Sequence, residues 1–226
     1  MISDRALVLA AAATYEPKAV PIIEAIDHAV RIFRTNVDGL AVFAVEGTHD
    51  ELGWALDFFA ARADDHETFN HRSLGFVHAG FHLAAMSVLP RLALAANGVD
   101  YAITGHSLGG ELALHLGGLM IDDGHPPVRI GAFAPPRGGG AQFVKVVTSV
   151  PFCAYRFGND PVPEVPWTLP GFPYEQLPLT QLAKSPASTQ RSNAIAEVRG
   201  WIDDERKALA DHHIQHYVDA VSALTA

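Results

Sequence analysis

The chain has 226 residues, 49% hydrophobic and 18% charged, a balance that suits one globular domain over 1–226 and excludes a disordered chain. A formal net charge of −9 excludes nucleic acid and anionic membrane as electrostatic partners, because neither attracts an acidic surface. Cys153 is the single cysteine, so no internal disulfide can form; a reducing, cytoplasmic location is the expectation.

Leu7 to Ala13 resembles the apolar part of a signal peptide. Asp4 precedes it, Arg5 is its one basic flank, and no small-residue cleavage site follows, so it reads as an N-terminal helix. No apolar run approaches the roughly 20 residues of a membrane span. Val20 to Val30 also reads as helix, and Val30 to Arg34 alternates like a half-buried strand. After the Asp38-Gly39 turn, Leu40 to Val45 is a continuous apolar run, as expected of a strand covered on both faces. Thr48 with Glu51 fits a capping box, opening a helix with Leu52, Leu56 and Phe59 on one side and Trp54 and Phe58 on another. Ala63 to Ser73 reads as a polar loop bearing histidines. Val77-His78-Ala79-Gly80-Phe81 comes next, and then a long helical pattern to a stop at about Asn97-Gly98.

Further strands are expected at Tyr101 to Thr104, Val128 to Phe133 and Phe152 to Phe157, and helices after Leu108 and over Phe143 to Val150. Prolines recur from Pro161 to Pro186, with Trp167, Leu169, Phe172 and Tyr174 among them, which suggests an ordered surface excursion. The closing helix carries the stripe Ile214, Tyr217, Val218, Val221 and Leu224. Strands alternating with helices predict an α/β fold: a mostly parallel central sheet with helices on both faces.

The informative corner is Gly105-His106-Ser107-Leu108-Gly109, a G-x-S-x-G elbow between a strand and a helix. The sharp turn strains the serine backbone, and its neighbours two residues away must approach without a Cβ. Leu108 opens the helix and offers a free N–H to any oxyanion formed beside Ser107. A serine needs a base, and the base needs a third group to fix its tautomer. In the elbow's usual chain order, acid then base follow the serine. Asp160 is the candidate acid, and the base lies in Asp211-His212-His213; adjacent histidines point apart, so one of the two serves. A second oxyanion donor is expected after an earlier strand, where Gly47-Thr48 sits.

These blocks, with Phe133-Ala134-Pro135-Pro136-Arg137-Gly138 and Asp160-Pro161-Val162-Pro163-Glu164-Val165-Pro166, follow the order found in the class 3 lipases, which include the fungal triacylglycerol lipases. Over about residues 40 to 166 the sequence resembles that family. The resemblance implies an α/β-hydrolase fold and a carboxylic-ester hydrolase with Ser107 as nucleophile, Asp160 as acid and His212 as base. His213 remains the alternative base, and Tyr217, five residues past His212, favours the first choice. Thr48 and Leu108 become the oxyanion donors, and Trp54, Leu56 and Phe58 fall in the equivalent of a lid. Two positions depart from the family pattern: Glu46 stands where arginine is usual before Gly-Thr, and Glu111 where a small residue is usual. Glu111 is read as forming a buried hydrogen bond. His78 and His106 are read as packing residues.

No cofactor is expected. The histidine pairs His78/His82 and His212/His216, and His66/His71 around a loop, match no H-E-x-x-H zinc pattern, so no metal is expected either. The expected substrate is a lipid or small acyl ester. A lipase-like binding or signalling module without turnover, and an acyltransferase, are the alternatives.

Overall fold

The computed structural model describes residues 2–25, 30–48, 68–166, 168, 173–183 and 210–224. The expected helix over Leu52 to Phe59, with Trp54, Leu56, Phe58 and the Glu51 half of the capping box, lies outside them.

The chain runs α1 (Asp4–Ala13), β1 (Ile23–Ala25), β2 (Val30–Val37), β3 (Leu40–Val45), β4 (Thr68–His71), β5 (Gly75–His78), α2 (Ala79–Ala96), β6 (Tyr101–His106), α3 (Leu108–Asp122), β7 (Arg129–Phe133), α4 (Ala141–Val147), β8 (Phe152–Arg156), β9 (Thr180–Gln181) and α5 (Ile214–Leu224). Single 3₁₀ turns at Val162–Glu164 and Ala210–His212 complete it. The main sheet has the order β1-β2-β3-β6-β7-β8-β9. β3 and every strand after it in that order run parallel, while β1 and β2 are antiparallel additions at one edge.

β3 shows why a continuous apolar run suits its place. Ala41, Phe43 and Val45 point into the core beneath α2, α3 and α4; Val42 and Ala44 point into a second core under α1 and α5. Both faces are covered, so no position in the strand is left for a polar residue. β6 divides the same way, with Tyr101 and Ile103 on one side and Ala102 on the other.

Four expectations are corrected. Ile23–Ala25 is a strand and not helix: it pairs antiparallel with Val30–Ile32. Pro17 and Pro21 precede it, and a ladder to β2 satisfies backbone groups that a short helix beside two prolines could not. Thr68–His71 is a strand within the expected loop, forming a two-stranded hairpin with β5. Leu224, assigned to the buried stripe of the last helix, is 64% exposed; Ile214, Tyr217 and Val221 carry the burial. Finally, α2 is long and apolar enough, by length and composition, to cross a bilayer. In this fold Phe81, Ala85, Val88, Leu92 and Ala96 along one side of it are buried in the core, and Leu83, Met86 and Leu94 face outward.

Candidate functional site

The strands of the parallel sheet deliver their C-terminal ends to one edge, and the site is assembled there from four of them. β6 ends in His106, and the chain turns at Ser107 with φ 57° and ψ −130° before entering α3. That backbone is unfavourable for a residue with a Cβ, and it is held by Ser107 N–H donating to the Phe133 carbonyl at 2.8 Å. Two glycines make the corner feasible. A methyl on Gly105 would overlap the Gly109 carbonyl, and a methyl on Gly109 would overlap the Val45 carbonyl.

β8 leads through Gly158 to Asp160, whose carboxylate is fully buried. The 3₁₀ turn before α5 supplies His212. Its Nδ1 lies 2.8 Å from Asp160 Oδ2 and its Nε2 2.8 Å from Ser107 Oγ. Residues separated in sequence by 105 and 52 positions therefore meet in one hydrogen-bonded line. With Asp160 accepting at Nδ1, that nitrogen carries the proton and Nε2 presents its lone pair to the serine hydroxyl. His213 is exposed, and its Nδ1 accepts the Gln215 N–H instead. The structure does not bring it to Ser107.

A backbone N–H and a phenol fix the acid. Val162 N–H donates to Asp160 Oδ1 at 3.0 Å, and the Tyr217 hydroxyl donates to Asp160 Oδ2. Phe157 N–H in turn donates to the Tyr217 oxygen at 3.0 Å. Burial, and then the neighbouring Asp160 charge, hold the Tyr217 phenol well above its ordinary pKa, so it stays a donor. Asp211, next to His212, accepts the Asn159 N–H at 2.8 Å and so ties the acid's loop to the base's turn. Tyr217→Phe is expected to lower kcat about tenfold, since it strips a donor from Asp160 and leaves Phe157 N–H without this acceptor. Steady-state kinetics on an activated ester, with a melting curve as control, measure it.

The Gly47-Thr48 loop follows β3, and β3 pairs with β6 so that Val45 stands opposite Gly105. Gly109 packs directly on Val45 and Glu46, which sets the first turn of α3 against that loop. Leu108 thus follows the end of β6, and Thr48 the end of the neighbouring β3. The Thr48 hydroxyl is buried, with no hydrogen-bond partner among the described residues. Glu46, the first departure from the family pattern, is buried and gripped by Arg31 of β2, whose Nη1 lies 2.8 Å and 3.0 Å from its two oxygens. The loop is anchored by an ion pair with the acid on its own side.

The second departure also has a partner. Glu111, fully buried one turn below Ser107, has Oε1 2.7 Å from His115 Nδ1. Burial pushes the Glu111 carboxyl well up and the His115 imidazole well down. The pair is therefore a neutral acid and a neutral imidazole sharing one proton. Glu111 Oε2 and His115 Nε2 have no partner among the described residues. The expectation of a buried hydrogen bond holds for Glu111. The expectation that His106 merely packs is corrected: its Nε2 is 2.8 Å from the His212 carbonyl oxygen and its Nδ1 3.0 Å from the Tyr15 hydroxyl. Sequence reading missed Tyr15, Arg31 and Asp211 as parts of the site; of these, Asp211 alone had a signal, being adjacent to the candidate base.

Among the described residues, no group of three or more His, Cys, Asp or Glu side chains is placed to hold a metal ion.

A parallel sheet covered on both faces, with an elbow serine, an acid after a later strand and a histidine before the last helix, is the α/β-hydrolase fold. Residues 42–169, more than half of the sequence, match the family model described as "Lipase (class 3)", and the chain belongs to the class 3 lipase family. Solved structures are similar in fold. The triacylglyceride lipase of Rhizomucor miehei is 19% identical with a TM-score of 0.58, over 74% of this chain and 65% of that one. The lipase of Rhizopus microsporus var. chinensis is 20% identical with a TM-score of 0.64, over 92% and 83%. The triacylglycerol lipase of Penicillium expansum is 15% identical with a TM-score of 0.56, over 84% and 82%. The chain thus spans just under two thirds of the length of the Rhizomucor enzyme. Among curated proteins, none matches it.

Proposed function

We propose that the protein is a serine carboxylic-ester hydrolase that acts through an acyl-enzyme on lipid or small acyl esters. The observation that carries this reading is the single imidazole, His212, within 2.8 Å of both the Ser107 hydroxyl and the Asp160 carboxylate. Membership in a family of lipases supports it.

In this reading His212 Nε2 takes the Ser107 proton as Oγ attacks the ester carbonyl. Asp160 stabilises the imidazolium that forms and keeps it in register. The negative oxygen of the tetrahedral intermediate is received by the Leu108 and Thr48 amides, with the unpartnered Thr48 hydroxyl as a third donor. His212 then gives its proton to the leaving alcohol. Water, activated by the same imidazole, attacks the acyl-serine and releases the acid.

The test is covalent. A fluorophosphonate probe is expected to add once to the folded protein, at Ser107, as read by intact mass and peptide mapping. A folded sample that takes no probe would point to a lipase-like module without turnover. A series of p-nitrophenyl esters of increasing chain length then sorts small soluble esters from lipid-like ones.

A further inference from the structure

We propose that Tyr15, at the end of the N-terminal helix, is a positioning residue for the reaction: its hydroxyl sets the His106 tautomer, and His106 in turn holds the main chain of His212 against Ser107. The proposal rests on the ester-hydrolase reading above for its kinetic part, and on geometry alone for the rest.

The chemistry follows from which atoms can only accept. His106 Nε2 faces the His212 carbonyl oxygen at 2.8 Å, and a carbonyl has no proton to give. Nε2 must therefore carry the hydrogen. His106 is fully buried, and burial together with the neighbouring His212 holds it neutral, so it has one ring proton and that proton is on Nε2. Nδ1 is left as an acceptor, 3.0 Å from the Tyr15 oxygen, and the phenol is the donor. Without that donor the other tautomer gains weight, and in it a lone pair on Nε2 opposes the lone pairs of the His212 carbonyl. The bond that fixes the base would then become a repulsion.

A second contact gives Tyr15 the same role on the other side of the serine. Its hydroxyl occupies the space that a Cβ at Gly47 would fill, so it is packed against the loop that carries Thr48. One phenol therefore touches the loop beside the developing oxyanion and, through His106, the backbone of the base. The ring also stands edge-on to His106, at 5.9 Å between centroids and 71° between planes. Tyr15 is part-buried and lies in the turn that follows α1, an element that holds no other member of the site. Thus the turn after α1 is bound to the geometry of the reaction although Tyr15 lies 91 residues before the elbow histidine.

Tyr15→Phe keeps the ring and removes the donor. The expected result is a fall of about tenfold in kcat with KM within about twofold, because orientation of the base is lost while substrate contacts remain. The spectroscopic readout is the proton NMR signal of His212 Nδ1–H in its bond to Asp160. It is expected far downfield in the parent protein, and shifted or broadened by faster exchange in Tyr15→Phe. A residue that merely stabilised the fold would lower the melting temperature without moving that resonance. The second variant is His106→Gln, whose amide N–H₂ can donate to the His212 carbonyl with no tautomer to set. In that background Tyr15→Phe is expected to have little further effect, so the two changes are strongly non-additive. Unchanged kcat and an unmoved resonance in Tyr15→Phe overturn the proposal, as does an additive pair. If the parent hydrolyses no ester and takes no probe, the ester-hydrolase reading fails instead. The resonance and its response to Tyr15→Phe can still be measured on that protein.

Discussion

Ser107→Ala is expected to lower kcat on an activated ester by a factor of about 10⁴ or more, with the fold intact. The estimate follows from how such a line of groups works: each member is useful only through the next, so loss of one removes nearly the whole chemical contribution. What survives is binding and the oxyanion donors, about 10³–10⁴ over water. The hydroxyl sits 2.8 Å from His212 Nε2, and alanine deletes it without adding volume to a fully buried position. Asp160→Asn is expected to fall nearly as far for another reason. Its side-chain amide can turn a donor toward His212 Nδ1, which favours the tautomer with the proton on Nε2, unable to accept from the serine. The kcat/KM of each variant, together with loss of fluorophosphonate labelling in Ser107→Ala, measures both. Wild-type turnover in Ser107→Ala would dismiss the mechanism outright.

The second large effect concerns stability and centres on Glu111 and His115. Each is fully buried, and each still has an unpartnered atom among the described residues. Removing one member alone, as in His115→Leu, strands a polar carboxyl in the core and is expected to cost about 1–3 kcal/mol. At about 2–4 °C per kcal/mol for a chain of this size, the shift is readily seen in a melting curve. Replacing both by leucine removes the stranded groups together and is expected to be neutral or stabilising.

The pH dependence of that difference has a defined sign. Within the fold the pair holds one proton, since the Glu111 pKa is raised and the His115 pKa lowered. In the unfolded chain the pair holds two protons below the ordinary carboxyl value of 4.5, one between 4.5 and 6.5, and none above the ordinary imidazole value of 6.5. The contribution of the pair is therefore level between those values. It declines on the acid side because the unfolded state gains a proton, and on the alkaline side because it loses one. Each limb has a slope of about 1.4 kcal/mol per pH unit, the alkaline one ending where Glu111 ionises in the fold. Denaturant unfolding of the parent and the double leucine variant from pH 5.5 to 8 checks it. Parallel curves would show that the pair does not hold a single proton.

Much of the site was legible because its chemistry is written locally. The elbow needs glycines at fixed offsets from the serine, and the acid and base follow in an order that the fold imposes. The choice of His212 over His213 rested on the family resemblance, which places an aromatic residue five positions after the base; that residue is Tyr217, and its hydroxyl reaches Asp160. The parts that were not legible are decided by the segment each one pairs with, not by its own residues. Ile23 to Ala25 looks helical until Val30 to Ile32 is laid beside it. Thr68 to His71 has too little apolar pattern to stand as a strand by itself and becomes one against Gly75 to His78. Glu46 looks anomalous until Arg31 is seen to hold it, and Tyr15 has no local feature that points to His106. In each case the partner, whether the other arm of a hairpin or a residue far along the chain, decided the outcome, not propensity.

The two rims of the main sheet have a bearing on how this chain can associate. One rim is β1, three residues long, and the other is β9, two residues long. At about 3.3 Å per residue, neither of these two strands, among the described residues, exposes more than one or two free rungs of backbone to a newcomer. A second copy finds too short a template there to continue the ladder. Among the described residues, what remains open on the β1 side is the stretch of β2 beyond it, Phe33–Val37, so a strand added by a second copy would have to seat there and not on β1 or β9.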